Sequence, residues 1–144
     1  MKTFEFDTPH NYADFEEHSG FYATVHRKGA TSAKKGEWGI IPGSMGSPSY
    51  IVQGRGNEES LSSCSHGAGR RMGRGAAKRA ITQEDFTSSL KETYSKPSIN
   101  YVDEAPGAYK AIDVVISRQL DLISIVHKLH PIITVKGDSR AKED

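Results

Sequence analysis

A single cysteine, Cys64, stands among 144 residues. One thiol cannot close a disulfide within the chain, and such a composition suits a reducing compartment. No apolar run approaches the ~20 residues of a membrane-spanning helix, and no apolar core of a secretory signal opens the sequence. The expectation is a soluble, cytoplasmic protein with no membrane partner. An excess of one charge is missing too: 19 Lys and Arg against 18 Asp and Glu leave +1, so no global field draws the chain to nucleic acid and any anion site must be local. Apolar residues are sparse, at 35% of the chain with 8% aromatic, and mean hydropathy is −0.57. A chain of this length is about one domain and buries roughly two thirds of its unfolded surface, here around a thin core. Repeats and low-complexity tracts are absent.

The chain does have glycine, 14 of them, concentrated where short apolar runs end. "FYATVHRKG" (21–29), "EWGIIPG" (37–43) and "SYIVQG" (49–54) read as strands closed by glycine or proline, with loops at 29–36 and 42–49. From Gly67 the pattern changes. "AGRRMGRGAAKRA" ends in helix formers and predicts a helix beginning just after His66, weakened by Gly73 and Gly75 at about 1 kcal/mol each. Thr82 and Asp85 form a capping pair for a helix to about Tyr94. Over 107–130, Ile112, Val115, Ile116, Leu120, Ile123 and Val126 recur at helical steps, and Gln119 is the one polar residue inside that stripe. A last strand, "PIITVKG" (131–137), precedes a charged tail at 138–144. Strands first and helices after indicate an α+β fold, with one domain over 1–137.

The densest chemistry lies in "SCSHGAGRRMGRG" (63–75). Gly67 and Gly69, lacking a Cβ, let backbone approach a ligand closely. Arg70, Arg71, Arg74, Lys78 and Arg79 put five positive charges in ten residues, and arginine forks hold phosphate oxygens in bidentate fashion. A helix start here would add dipole and free N–H groups for an anion. His66 would then stand where a neutral imidazole attacks phosphorus. The same residues also suit a turn before a solvated basic helix, and short HGAG-like motifs serve as oxyanion holes in unrelated hydrolases.

Three other stretches carry weaker signals. "PGSMGSPSY" (42–50) makes a rigid loop with hydroxyls at Ser44 and Ser49; it either cradles a phosphate or purine edge or simply joins two strands, and without a following lysine it is no P-loop. In "PHNYADFEEHSG" (9–20), His10 beside Asn11 resembles a metal ligand with a hydrogen-bonding neighbour, although one ligand does not hold a divalent ion. "RKGAT" (27–31) and "VKG" (135–137) place lysines at strand ends, where they reach a phosphate or serve as ordinary surface charges.

Taken together and in order, "HNY", "RKGAT", "IIPGSMGSPSYIV", "SCSHGAGRRM", "AYKAIDVV" and "VKG" resemble the C-terminal part of the RtcB family of RNA-splicing ligases, over residues 9 to 137. The resemblance implies an enzyme that joins an RNA 3′-phosphate or 2′,3′-cyclic phosphate to a 5′-hydroxyl, with GTP and manganese. His66 resembles the guanylylated nucleophile, which carries GMP covalently through a P–N bond. His10, Asn11, Pro42, Gly43, Ser44, Met45, Ser49, Gly67, Ala68, Gly69 and Lys136 match positions contacting the nucleotide, and His10 also matches a manganese ligand. Arg70 and Arg74 are assigned to phosphate oxygens of GMP or RNA, on charge and position more than on the family.

The match also has a gap. In the family, an N-terminal portion supplies the remaining manganese ligands, an aspartate, a cysteine and further histidines, and the nine residues ahead of His10 have no room for them. Cys64, beside the nucleophile motif, is not at the family's metal position. Three expectations follow: a ligase acting as a fragment or completed by a separate chain supplying the missing ligands, a binding remnant holding guanine nucleotide or RNA phosphate without turnover, and a hydrolase using Ser44 or Ser49.

Overall fold

The structure, a computed structural model, describes residues 5–9 and 11–136, the side chain of Ile99 excepted. Its first elements, β1 (Asn11–His18) and β2 (Phe21–Lys28), form an antiparallel hairpin across Ser19 and Gly20, both at positive φ. That two-residue turn matches the twist of its strands. Gly29, at φ +76°, redirects the chain into β3 (Ala30–Ser32). Further on, β4 (Trp38–Ile41) pairs with β5 (Ser49–Gly54), and β6 (Ser63–Ser65) returns to pair with β3. Three short helices follow, α1 (Arg74–Ala80), α2 (Gln83–Ser88) and α3 (Ile112–Ser117), before β7 (Ile123–Leu129) closes a three-stranded sheet in the order β4-β5-β7. The fold is α+β.

Burial alternates along β5: Tyr50 and Val52 point inward, as a half-buried strand requires. They meet Ile41, Cys64, Ala68 and Ile123, and α3 covers them with Ile112 and Ile116. A second apolar cluster gathers Met45, Phe86, Leu90, Val102 and Ala105 beneath α2. Met45 belongs to the loop after β4, so this cluster anchors the 42–49 loop, which the sequence reads either as a ligand cradle or as a plain strand connection. Among the described residues no helix is long and apolar enough to cross a membrane.

Four sequence expectations change. No helix begins after His66: Gly69 sits at φ +69° and α1 starts only at Arg74, behind Gly73. The helix opened by Thr82 ends at Ser88 rather than near Tyr94. The stripe over 107–130 divides, with α3 stopping at Ser117 and residues 123–129 forming β7. A strand edge on β5 would otherwise stay unpaired, and Ile123, Ile125 and Val126 are β-branched, so sheet pairing outweighs helical periodicity. Within 131–137, only an isolated bridge between Ile133 and Tyr94 forms among the described residues.

Candidate functional site: the HGAG turn and two cavities

Strand β6 delivers the chain to His66. Ser65 N–H donates to Gln119 Oε1 at 2.9 Å, and Ser65 Oγ donates to the Gly67 carbonyl at 2.5 Å. The turn that follows is strapped on both sides. Ala68 N–H donates to the Pro42 carbonyl at 3.1 Å, and Lys110 N–H donates to the Gly69 carbonyl at 2.9 Å. Glycine suits both positions: a Cβ on Gly67 would sit a tight 3.3 Å from the Pro42 carbonyl, and Gly69 has the left-handed backbone.

A cavity of about 600 Å³ opens beside this turn. His66, Gly67, Ala68 and Gly69 form one wall, with Gly29 alongside. Cβ atoms added at Gly29 or Gly69 would meet no atom within 4 Å, so both positions leave open space. The opposite wall comes from Lys110, Ala111 and α3, through Val114, Val115, Arg118 and the buried Gln119. Asn11 pairs with Lys28, next to Gly29, which brings the open end of the hairpin to this cavity. His10 and Gly137 lie outside the described residues.

A second cavity, of about 290 Å³, opens at the 42–49 loop. It collects Gly43, Ser44, Met45, Ser49 and Lys136, five of the expected nucleotide contacts. Ser44 and Ser47 hydroxyls bond at 2.7 Å, and Thr134 Oγ1 donates to the Met45 carbonyl at 2.9 Å, which draws the Lys136 segment onto the loop. Pro42 acts through its carbonyl, the strap on Ala68, and is not in this lining. The expected contacts therefore divide between two hollows.

Glu104 and Tyr109 also line the smaller cavity, and sequence reading did not single them out. Glu104 binds Arg70 at 2.7 Å and lies 3.8 Å from Arg74 and 3.7 Å from Lys136. Burial pushes its carboxyl up, but the Tyr109 hydroxyl bond and the three cations outweigh this and hold it below its ordinary value. The Tyr109 phenol is pushed up to about 12, first by burial and then by Glu104, so it stays protonated and donates. Arg70 also stacks over the Tyr109 ring at 4.8 Å and donates to the Asp103 carbonyl. Arg70 and Arg74, expected on phosphate oxygens, thus face Asp103 and Glu104 and do not line the His66 cavity. The signal for Glu104 was an acidic pair just before Pro-Gly and an aromatic; for Gln119 it was the polar residue in an apolar stripe.

Cys64 points into the core, its thiol pushed up to about 11 by burial first and then by Glu37. A neutral, enclosed thiol is neither nucleophile nor metal ligand. His18 is buried against Glu16 at 2.9 Å, a packed histidine rather than a ligand. Among the described residues no three His, Cys, Asp or Glu side chains gather to hold a metal ion.

Comparison with known proteins gives the context. The family model described as tRNA-splicing ligase RtcB matches residues 1–137. The RNA-splicing ligase RtcB of Escherichia coli (strain K12) is 47% identical over 133 residues, covering 92% of this chain and 33% of that protein. The tRNA-splicing ligases RtcB of Nanoarchaeum equitans and Archaeoglobus fulgidus are each 36% identical over 157 residues, again 92% of this chain and 33% of theirs. The chain spans about one third of the length of these relatives.

Proposed function

The chain belongs to the RtcB family, and from that premise we propose that it is the nucleotide-attaching part of an RNA ligase, with His66 as the residue that carries GMP. The carrying observation is His66 on the wall of a large open cavity, on a turn whose glycines leave space for a phosphate. In the proposed first step, an unprotonated His66 ring nitrogen attacks the α-phosphorus of GTP; a P–N bond forms, the bond to the β-phosphate oxygen breaks, and pyrophosphate leaves. An oxygen of the RNA 3′-phosphate then attacks the same phosphorus, freeing the imidazole. Finally the 5′-hydroxyl oxygen attacks the activated 3′-phosphorus, its proton passes to solvent, and GMP departs as the phosphodiester forms.

What this chain contributes is position and charge. The Ser65–Gln119 and Ala68–Pro42 hydrogen bonds fix the backbone on both sides of His66. In this reading the guanosine portion occupies the smaller cavity, among Ser44, Ser49, Tyr109 and Lys136, whose ammonium is held beside Glu104. The described residues do not supply a manganese site, so no step here runs through a metal. The rest of a family ligase, on the same or a separate chain, is the proposed source of those ligands, and RNA ends bearing 3′-phosphate and 5′-hydroxyl are the proposed partners.

The test is intact mass spectrometry after incubation with GTP and Mn²⁺, alone and with the N-terminal two thirds of the E. coli relative added. One GMP adduct on the wild-type chain and none on His66→Ala is the expected result. A folded chain that gains no adduct in either mixture refutes the nucleophile. GMP binding that survives His66→Ala without any adduct would instead assign a nucleotide-binding part without turnover.

A further inference from the structure

One guanidinium ties the strand that delivers His66 to the β1–β2 hairpin. Arg27, near the end of β2, is 2% exposed, and each of its five N–H donors has an acceptor. Three of these bonds stay within the hairpin, to both oxygens of Glu16 and to the Tyr12 hydroxyl. The other two leave it: Nε donates to Ser63 Oγ at 2.9 Å, and Nη2 donates to the Leu61 carbonyl at 2.9 Å. Leu61 and Ser62 stand at φ 50° and 48°, left-handed backbone that a bulky side chain rarely adopts. Two such residues in succession, directly ahead of β6, persist only where their surroundings over-determine them. The Arg27 bond to the Leu61 carbonyl is part of that hold, beside the Ser62–Asn57 and Ala33–Ser62 backbone bonds. The opposite side of the turn depends on the same residue. Two positions after Arg27, Gly29 bends the chain at φ +76°, lines the His66 cavity and accepts from His66 N–H at 3.4 Å. Arg27 thus sits astride the bend: its backbone belongs to the strand before Gly29, and its side chain grips the strand that pairs after it.

We propose that Arg27 is a positioning residue: by closing the Gly29 bend and holding the Leu61–Ser62 corner, it sets where His66 stands on the cavity wall. Its use in phosphoryl transfer rests on the ligase reading; the placement itself rests on the hydrogen bonds. A nucleophile must meet phosphorus opposite the leaving group, and a displacement of about 1 Å costs about a hundred-fold in rate. Lysine cannot take this place. Its ammonium is a point charge with three donors, whereas the acceptors here lie on β1, at Leu61 and on β6, spread around a planar fork.

Amide hydrogen exchange of the whole chain, read by NMR without nucleotide or metal, tests this. Arg27→Met combined with Glu16→Gln removes the guanidinium and leaves no stranded charge from the pair in the interior. Exchange at Ser65, His66 and Ala68 should accelerate at least about ten-fold, as the loss of two hydrogen bonds implies, while the β5 amides between β4 and β7 keep wild-type protection. Ser63→Ala removes one of those bonds, leaves the ion pair intact and should accelerate the same amides about three-fold, which decides the matter if the double variant does not fold. Arg27→Lys should not restore protection. Where the His66 adduct forms, its single-turnover rate at saturating GTP should fall about a hundred-fold in the double variant, with the half-saturating GTP concentration within about two-fold of wild type. Unchanged exchange at the turn, a loss spread equally over β5 and the turn, or an adduct formed at the wild-type rate overturns the proposal. Accelerated exchange at the turn in a chain whose wild type gains no adduct would sink guanylylation and leave the placement by Arg27 standing.

Discussion

Among the described residues, Glu16 is a buried carboxylate with several cationic partners. Arg27 binds it through both guanidinium nitrogens, at 2.9 and 2.8 Å, and His18 Nε2 and Lys34 Nζ each approach to 2.9 Å. Arg27 also donates to Ser63 Oγ and the Leu61 carbonyl, so one buried ion pair clamps the β1–β2 hairpin onto the strand that leads to His66. The Arg27 bond, the largest influence, overrides burial and holds the Glu16 carboxyl far below its ordinary value of 4.5. A depressed folded value means the unfolded chain binds the proton more readily, so this stabilisation is complete above the unfolded value and drains away as pH falls below it. Stability should therefore decline from about pH 4.5 downward. Glu16→Gln, which strands the Arg27 charge in the interior, should cost about 3–5 kcal/mol at neutral pH and flatten that acid slope. Urea unfolding at pH 7 and at steps down to pH 3 checks both; an unchanged acid slope in the variant would assign the pH dependence to other carboxylates.

Among the elements, legibility followed locality. Strands β2, β4 and β5 stand where short apolar runs meet glycine or proline, because both the run and its stop are written in a few consecutive residues. Thr82 and Asp85 close the reciprocal capping box that their spacing announced: Thr82 Oγ1 accepts from Asp85 N–H at 3.0 Å, and Asp85 accepts from Thr82 N–H at 3.3 Å. Thr82→Ala should lower unfolding free energy by about 1 kcal/mol, while Thr82→Ser should be nearly silent; thermal melts of the pair distinguish a cap from a packing effect. Illegible features depended on distant partners. The 123–129 segment is a strand because β5, some seventy residues earlier, offers an edge, and β6 exists because β3 does. The site divides the same way. His66 and its glycines are a local motif; Glu104, Tyr109, Lys110 and Arg118 become site residues only once the 104–118 segment packs against the turn, a placement no spacing encodes.

For the whole molecule, the distribution of apolar surface is the informative quantity. The outward face of the hairpin carries Phe15 and Tyr22, stacked with ring centres 5.5 Å apart and 68% and 65% exposed, with Phe21 beside them at 54%. A second exposed set lies where the chain runs past β7: Tyr94 at 73%, Ile132 at 79%, Ile133 at 63% and Val135 at 86%. Scattered single residues of this kind are ordinary, but an aromatic cluster and a four-residue apolar group are not expected on a small protein that meets only water. Relatives three times as long have further protein available to cover such faces. In isolation the chain should therefore associate, its weight-average mass in sedimentation equilibrium rising with concentration. Phe15→Ser with Tyr22→Ser should shift that curve toward the monomer without lowering the thermal midpoint, since both rings lie outside the core. Adding the N-terminal two thirds of the E. coli relative should suppress self-association of the wild-type chain by competing for the same faces. Strict monomers at every concentration would mean that water alone satisfies these surfaces, and the proposed completion of the site by further protein would lose its physical motive.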